Sequence, residues 1–202
     1  MSASYDVVVT SDEITPCLNR VSAGLKDRTR LNEMIGGQAQ VLTRNHLIDL
    51  AASRHDSANR LGATPTGHLA RAAESVAGTS DAEAAVVTVT SPGIARAFHA
   101  LDIVPVNAKL LTIPASPLSY GKRASEVERQ IGELRFAVLG GHPSLVAGKD
   151  DNLTVLFWLA SSVHIPQDRT LLPSDEQYLY AAESASRFYL NALVQVEQSE
   201  LN

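Results

Sequence analysis

LTVLFWLASSV, residues 153–163, is the most apolar strand signal in the chain, an aromatic and β-branched run with turn signals on both sides. Just upstream, LRFAVLGG (134–141) is a second strand closed by two glycines, and HPSLVAGKDDN (142–152) is a turn-rich hairpin connection between the two. Further upstream lies KLLTIPASPLSYGKR (109–123). Its Leu110–Ile113 core is a strand that ends on Pro114, meets a second proline at Pro117, and runs into a basic segment carrying Tyr120. SEVERQIGEL (125–134) is weakly helical, LDIVPVN (101–107) is extended, and IARAFHA (94–100) reads as one or two helical turns. Another strand, Val86–Thr90, stops at Pro92–Gly93.

Helical patterns flank this strand-rich middle. SYDVVVT (4–10) is a short valine-rich strand, after which Ser11, Asp12 and Glu13 start a helix of about three turns with Pro16 in its first turn. The longest pattern runs from Asp27 to about Arg54, with Leu31, Met34, Ile35, Gln38, Val41, Leu42, Asn45 and Ile48 at three- and four-residue steps. Gly36–Gly37 inside it marks a local kink or a close helix contact, with a hinge as the alternative. A loop with Gly62, Pro65 and Gly67 leads to a short helix, Leu69–Val76, closed near Gly78. At the other end, HIPQDRTLLPSDEQ (164–177) is a proline-broken loop. Ser174 and Gln177 then form a capping box that opens a helix to about Val196. Its apolar stripe is Tyr178, Ala181, Ala182, Ala185, Phe188, Tyr189, Ala192, Leu193 and Val196. Helices at the two ends and strands between them predict an α+β fold, with an antiparallel or mixed central sheet packed with long N-terminal and C-terminal helices. The expected organisation is one domain over 1–202, with an N-terminal extension (1–26) and a proline-led arm or loop (115–132).

Composition narrows the function classes. Of 202 residues, 45% are apolar, enough for a core, while only 5% are aromatic, so alanine, leucine and valine carry the packing. A net charge of −5 argues against a protein that grips DNA by neutralising phosphates. The single cysteine, Cys17, admits no intrachain disulfide and reads as a small apolar helix residue. The N-terminus lacks the basic and apolar regions of a signal peptide, and no apolar run approaches the ~18–20 residues of a membrane span.

Motifs for chemistry are sparse. His46, His55, His68, His99, His142 and His164 form no metal-ligand spacing. The glycine pairs lack the phosphate-loop patterns, and no G-x-S-x-G stands near a serine nucleophile. Asp81 with Glu83, and Asp150 with Asp151, sit in turn contexts. The positive clusters are KDRTR (26–30) and GKR (121–123). The expectation is a non-enzyme without cofactor, metal or catalytic residues.

The two proline-broken segments carry a resemblance. KLLTIPASPLSYGKRASEVE (109–128) is followed by RFAVLG, the apolar strand, then Ile165–Pro166–Gln167–Asp168–Arg169–Thr170–Leu171 and an acidic-capped terminal helix. This order resembles the phage virion morphogenesis family, the tail-completion or neck proteins of Mu-like and related tailed phages. In that family an LTIP strand end precedes a polar segment, and an IPxRxxL loop precedes the last helix. Here Asp168 stands directly before Arg169, where the family usually has a small residue. The resemblance implies a structural subunit at the head–tail junction that assists head–tail joining, self-assembled into a ring, expected to be a hexamer, on the tail axis. Implied neighbours are head-side connector or stopper proteins and tail tube or terminator proteins, with the genome passing through without tight binding and no membrane. The implied location is the virion neck, after assembly in the host cytoplasm. On this reading Pro114 and Pro117 hold the segment after the strand extended as an arm to a neighbour. Tyr120, Lys122 and Arg123 lie on the arm, with Pro166 and Arg169 as further interface residues. Alternatives are a tail terminator ring capping the tube, a small cytosolic hydrolase whose site is not readable from sequence, and a binding adaptor.

Overall fold

A computed structural model describes Asp12 and residues 14–149 and 152–195; the expected strand over 4–10 lies outside them. In chain order the elements are helices α1 (Ile14–Lys26), α2 (Thr29–Ser53), α3 (Asp56–Leu61) and α4 (His68–Glu74), then strands β1 (Val76–Ser80) and β2 (Ala85–Val89). A 3₁₀ turn (Pro92–Ala97), β3 (Leu101–Ile103), β4 (Leu111–Pro114), α5 (Ala124–Ile131), β5 (Arg135–Leu139), β6 (His142–Ala147) and β7 (Thr154–Ala160) follow. The chain continues through β8 (Val163–Ile165) and a second 3₁₀ turn (Arg169–Leu171) to α6 (Asp175–Gln195). The fold is α+β, with helices at both ends and antiparallel pairing in the middle. Two compact units result: one holds the described residues up to Arg44, Val76–Thr88 and those from Pro173 on, the other Asn45–Ser75 and Val89–Leu172.

In the first unit the helix starts follow local chemistry. The N–H groups of Ile14 and Thr15 donate to Asp12 Oδ1 at 3.1 and 2.9 Å, satisfying donors that have no partner inside a helix. Pro16 sits in the same first turn, where it has no N–H to leave unpaired. The capping box forms at the start of α6: Ser174 N–H donates to Gln177 Oε1 (2.9 Å), and Gln177 N–H to Ser174 Oγ (3.4 Å). Tyr189 Oη donates to the Gly24 carbonyl (3.2 Å) and Arg20 Nε to the Leu193 carbonyl (3.2 Å), tying α6 to α1. Gly24 allows that approach, since a Cβ there would stand 2.7 Å from both Leu193 Cδ1 and Tyr189 Oη. Of the readings offered for Gly36–Gly37, close packing holds at Gly36, which is buried with a Cβ position only 3.2 Å from Ala85. Helix α2 runs unbroken through both glycines. The predicted Leu69–Val76 helix ends earlier, at Glu74, because β-branched Val76 and Gly78 enter β1. Side chains of Gln40 and Arg44 donate to the Val76 carbonyl and hold that strand start against α2.

The second unit is built on a four-stranded sheet in the order β4-β7-β6-β5. Its centre is the apolar run read from sequence, β7, paired with β4 on one side and β6 on the other. HPSLVA, expected to be part of a turn-rich connection, is instead strand β6. Between β5 and β6 stand only Gly140–Gly141, both at positive φ (56° and 81°), a two-residue hairpin that joins Leu139 to its partner His142. Pro143 is tolerated because it stands at the hairpin end of the strand. On β7 the register slips between Leu145 and Val146, which pair with Phe157 and Val155, so Leu156 is the extra residue of a bulge. Leu156 and Phe157 are therefore both fully buried, where a regular strand would turn one of them away. They pack with Val127 of α5, and Ala124, Leu134, Leu145 and Ala147 close the cluster.

The segment after β4 is folded, which corrects the expected extended arm. Ala115 N–H donates to the Leu156 carbonyl at 2.8 Å, continuing the ladder past Pro114. In an antiparallel pair, alternate N–H groups face the partner strand. With Ala115 facing β7, Pro114 faces the open edge, where its missing donor costs nothing. The next residues close into turns: Ser119 N–H donates to the Ser116 carbonyl (3.2 Å) and Lys122 N–H to the Ser119 carbonyl (3.2 Å). The Ser119 side chain is buried and bonds back to the Ser116 carbonyl (3.0 Å). Two prolines with a serine between them thus make a compact corner that delivers the chain into α5.

Candidate functional site

The sequence-predicted interface residues do not converge on one point. Pro114 is half-buried opposite Phe157, while Pro117, Lys122, Arg123, Pro166 and Arg169 are exposed. Lys122 Nζ donates to Gln130 Oε1 at 2.8 Å, and the Arg123 N–H donates to Glu126 Oε2 at 2.8 Å, a cap for α5. Lys122 thus reaches the last turn of that helix, while the Arg123 bond is made by its backbone. Tyr120 points elsewhere, into a cleft of about 220 Å³ within the second unit.

Beside that cleft is a polar cluster that the sequence reading did not assemble. Asp168 is its hub, with a side chain only 12% exposed. Arg54, at the end of α2, donates through Nη2 to Asp168 Oδ2, and Arg96 Nη2 lies 3.5 Å from the same oxygen. The other oxygen, Oδ1, accepts from the Thr170 hydroxyl (2.6 Å) and N–H (3.2 Å), capping the second 3₁₀ turn. The Asp168 N–H itself donates to the Arg96 carbonyl at 2.7 Å. Next to it, Gln167 Nε2 donates to the carbonyls of Ala97 (3.1 Å) and Phe98 (3.0 Å). The IPQDRTL loop is thereby clamped onto the Pro92–Ala97 turn, and its Leu171 is buried. Burial pushes the Asp168 carboxyl upward, but the Thr170 and Arg54 hydrogen bonds and the Arg54 charge outweigh it and leave it below its ordinary value.

The cleft itself takes Arg54, His55, Arg60, His68, Arg96 and Tyr120 from four parts of the second unit, together with Leu69 and Leu171. His68 has its pKa lowered, first by burial and then by the charges of Arg71, Arg96, Arg54 and His55. The smaller, charge-borne part of that shift comes from cationic neighbours, in a chain of net charge −5. Elsewhere in the unit, His164 Nδ1 lies 2.6 Å from Asp102 Oδ1, an exposed cross-strand pair between β3 and β8. Among the described residues, no group of three or more His, Cys, Asp or Glu is placed to hold a metal ion, and no helix is long and apolar enough to cross a membrane. No family model, curated protein or solved structure matches the chain.

Proposed function

We propose that this chain is a structural subunit of a phage virion, acting in tail completion at the head–tail junction by binding copies of itself and its neighbours. The observation that carries assembly is the composition of α6. One side of the helix faces α1 and α2, with Ala185 and Tyr189 buried and Tyr178 Oη 2.7 Å from Thr43 Oγ1. Yet Leu179, Tyr180, Phe188, Leu190 and Val194 stand in solvent, Tyr180 at 74% and Phe188 at 68% exposure. Large apolar side chains gathered in solvent on one helix mark a candidate interaction site. A subunit that completes its core only in an assembly needs such a helix. The head–tail junction is suggested by the resemblance of the LTIP and IPQDRTL segments alone.

Native mass spectrometry of the purified chain, together with immunodetection in finished particles, tests both halves. The expected result is a closed ring of copies, and labelling at the neck of intact virions. A chain that stays monomeric at micromolar concentration and is absent from particles overturns the proposal. Labelling confined to the ends of isolated tail tubes identifies a tail terminator instead.

A further inference from the structure

The geometry points to a binding site for a small phosphate-bearing anion in the cleft of the second unit, where Arg54, Arg60 and Arg96 meet His55, His68 and Tyr120. Three arginines line it from separate segments: Arg54 just past α2, Arg60 on the short α3, and Arg96 on the 3₁₀ turn. The carboxylates near them are fewer. Asp56 lines the cleft, and Asp168 is shared between Arg54 and Arg96. Arg60 is held only by long contacts, 3.4 Å to the Asp56 carbonyl and 3.5 Å to Ser57 Oγ, so its fork is available to a ligand.

Size and shape choose among anions. A volume of about 220 Å³ is below the ~300–1,000 Å³ of sites for drug-sized ligands, so the occupant is small. Arginines lining the cleft from three segments suit the spread oxygens of a tetrahedral phosphate better than the two coplanar oxygens of a carboxylate. The Tyr120 ring and Leu69 on the wall leave room for a small organic body on the phosphate.

The test is a titration of the full chain with inorganic phosphate and with phenyl phosphate, followed by the imidazole resonances of His55 and His68. Acetate and sodium chloride at matched ionic strength are the controls. Saturable shifts of both histidines with either phosphate, and a rise in the His68 titration midpoint as the anion offsets the charges of Arg71, Arg96, Arg54 and His55, are the expected result. Tighter binding of phenyl phosphate than of phosphate identifies an organic phosphate as the occupant; equal binding identifies the free ion. Arg60→Gln should weaken binding about tenfold, the loss of one charge-assisted hydrogen bond, with an unchanged thermal midpoint. No saturation below about 10 mM, equal shifts with chloride, or acetate binding as tightly as phosphate overturns the assignment. The wild-type titration decides the matter even if the variant does not fold.

Discussion

Asp168 shows how one side chain can hold several segments at once. It accepts from Arg54 and Thr170, lies beside Arg96, and through its own N–H fastens to the Arg96 backbone. Asp168→Asn keeps the shape but removes the charge that both arginines face. The expected loss is about 2 kcal/mol in unfolding free energy by urea titration, the scale of hydrogen bonds to a charged group. The pH dependence has a definite sign. The folded carboxyl sits below its unfolded value of about 3.9, so its stabilisation is complete above that pH and disappears as pH falls through the lower folded value. Comparing wild type and Asp168→Asn between pH 6 and the acid limb should show the difference shrinking toward zero; a constant difference would rule out the charge as its source. Gly148 makes a second residue-scale case. Its φ is 102°, and a Cβ there would run into the Asn152 backbone carbonyl. Backbone cannot yield as a side-chain tip can, so Gly148→Ala should cost about 2–3 kcal/mol in thermal or urea unfolding. Little of this was legible in the chain. Asp168 was noticeable as a departure from a loop pattern, but Arg54 and Arg96 come from distant segments, and no spacing rule links them.

Elements were easier to read where local chemistry decides them. The α6 capping box and the apolar run of β7 appear where the residues put them, because each needs only its neighbours. Strand β6 was hidden by Pro143 and flanking glycines, although Gly140–Gly141 between two strands is itself a strong hairpin signal. The β7 bulge was not legible either, since it depends on register against a partner strand. It has a consequence at Leu156, which is completely buried under α5. Leu156→Asp loses the buried side chain and inserts an unpaired charge, so a loss of about 4 kcal/mol or more is expected. Retention of native circular dichroism and an unchanged melting temperature would show that the core lies elsewhere. The corner after β4 belongs to the same structure. Deleting residues 115–124 as a free arm would leave the domain intact. Here it removes buried Ser119, the Ala115 ladder bond, and Arg123 with Ala124, which start α5, the helix that carries Val127 over Leu156 and Phe157. The deletion should therefore lower the melting temperature strongly, and an unchanged melt would restore the arm.

For the whole molecule the decisive question is what covers the outer side of α6. Tyr178, Ala185, Tyr189 and Leu193 face inward and give the stripe visible in the sequence, but Phe188 of that same stripe is exposed. Leu179, Leu190 and Val194 form a second line beside the first, roughly a third of a turn round the helix, since 11 residues are about three helical turns and four residues about one. Apolar periodicity was read for one face, and a helix apolar on two faces was read as having one. If copies of the chain bury the second line, Leu179→Glu with Val194→Glu should disrupt assembly without disturbing the fold, because both side chains already stand in water in the single chain. Burying a leucine or valine contributes about 1.5–3 kcal/mol, and a carboxylate in its place must be desolvated as well. Two such changes should weaken association at least about a hundredfold. Sedimentation velocity at matched concentration should then shift from assembled species to monomer, with the melting temperature of the isolated chain retained. If the double variant assembles like wild type, α6 is not the contact, and the exposed residues of the β5 edge, Phe136 and Val138, become the surface to alter. If it melts early, the line is packed within the chain in solution, and the case for assembly through α6 is lost.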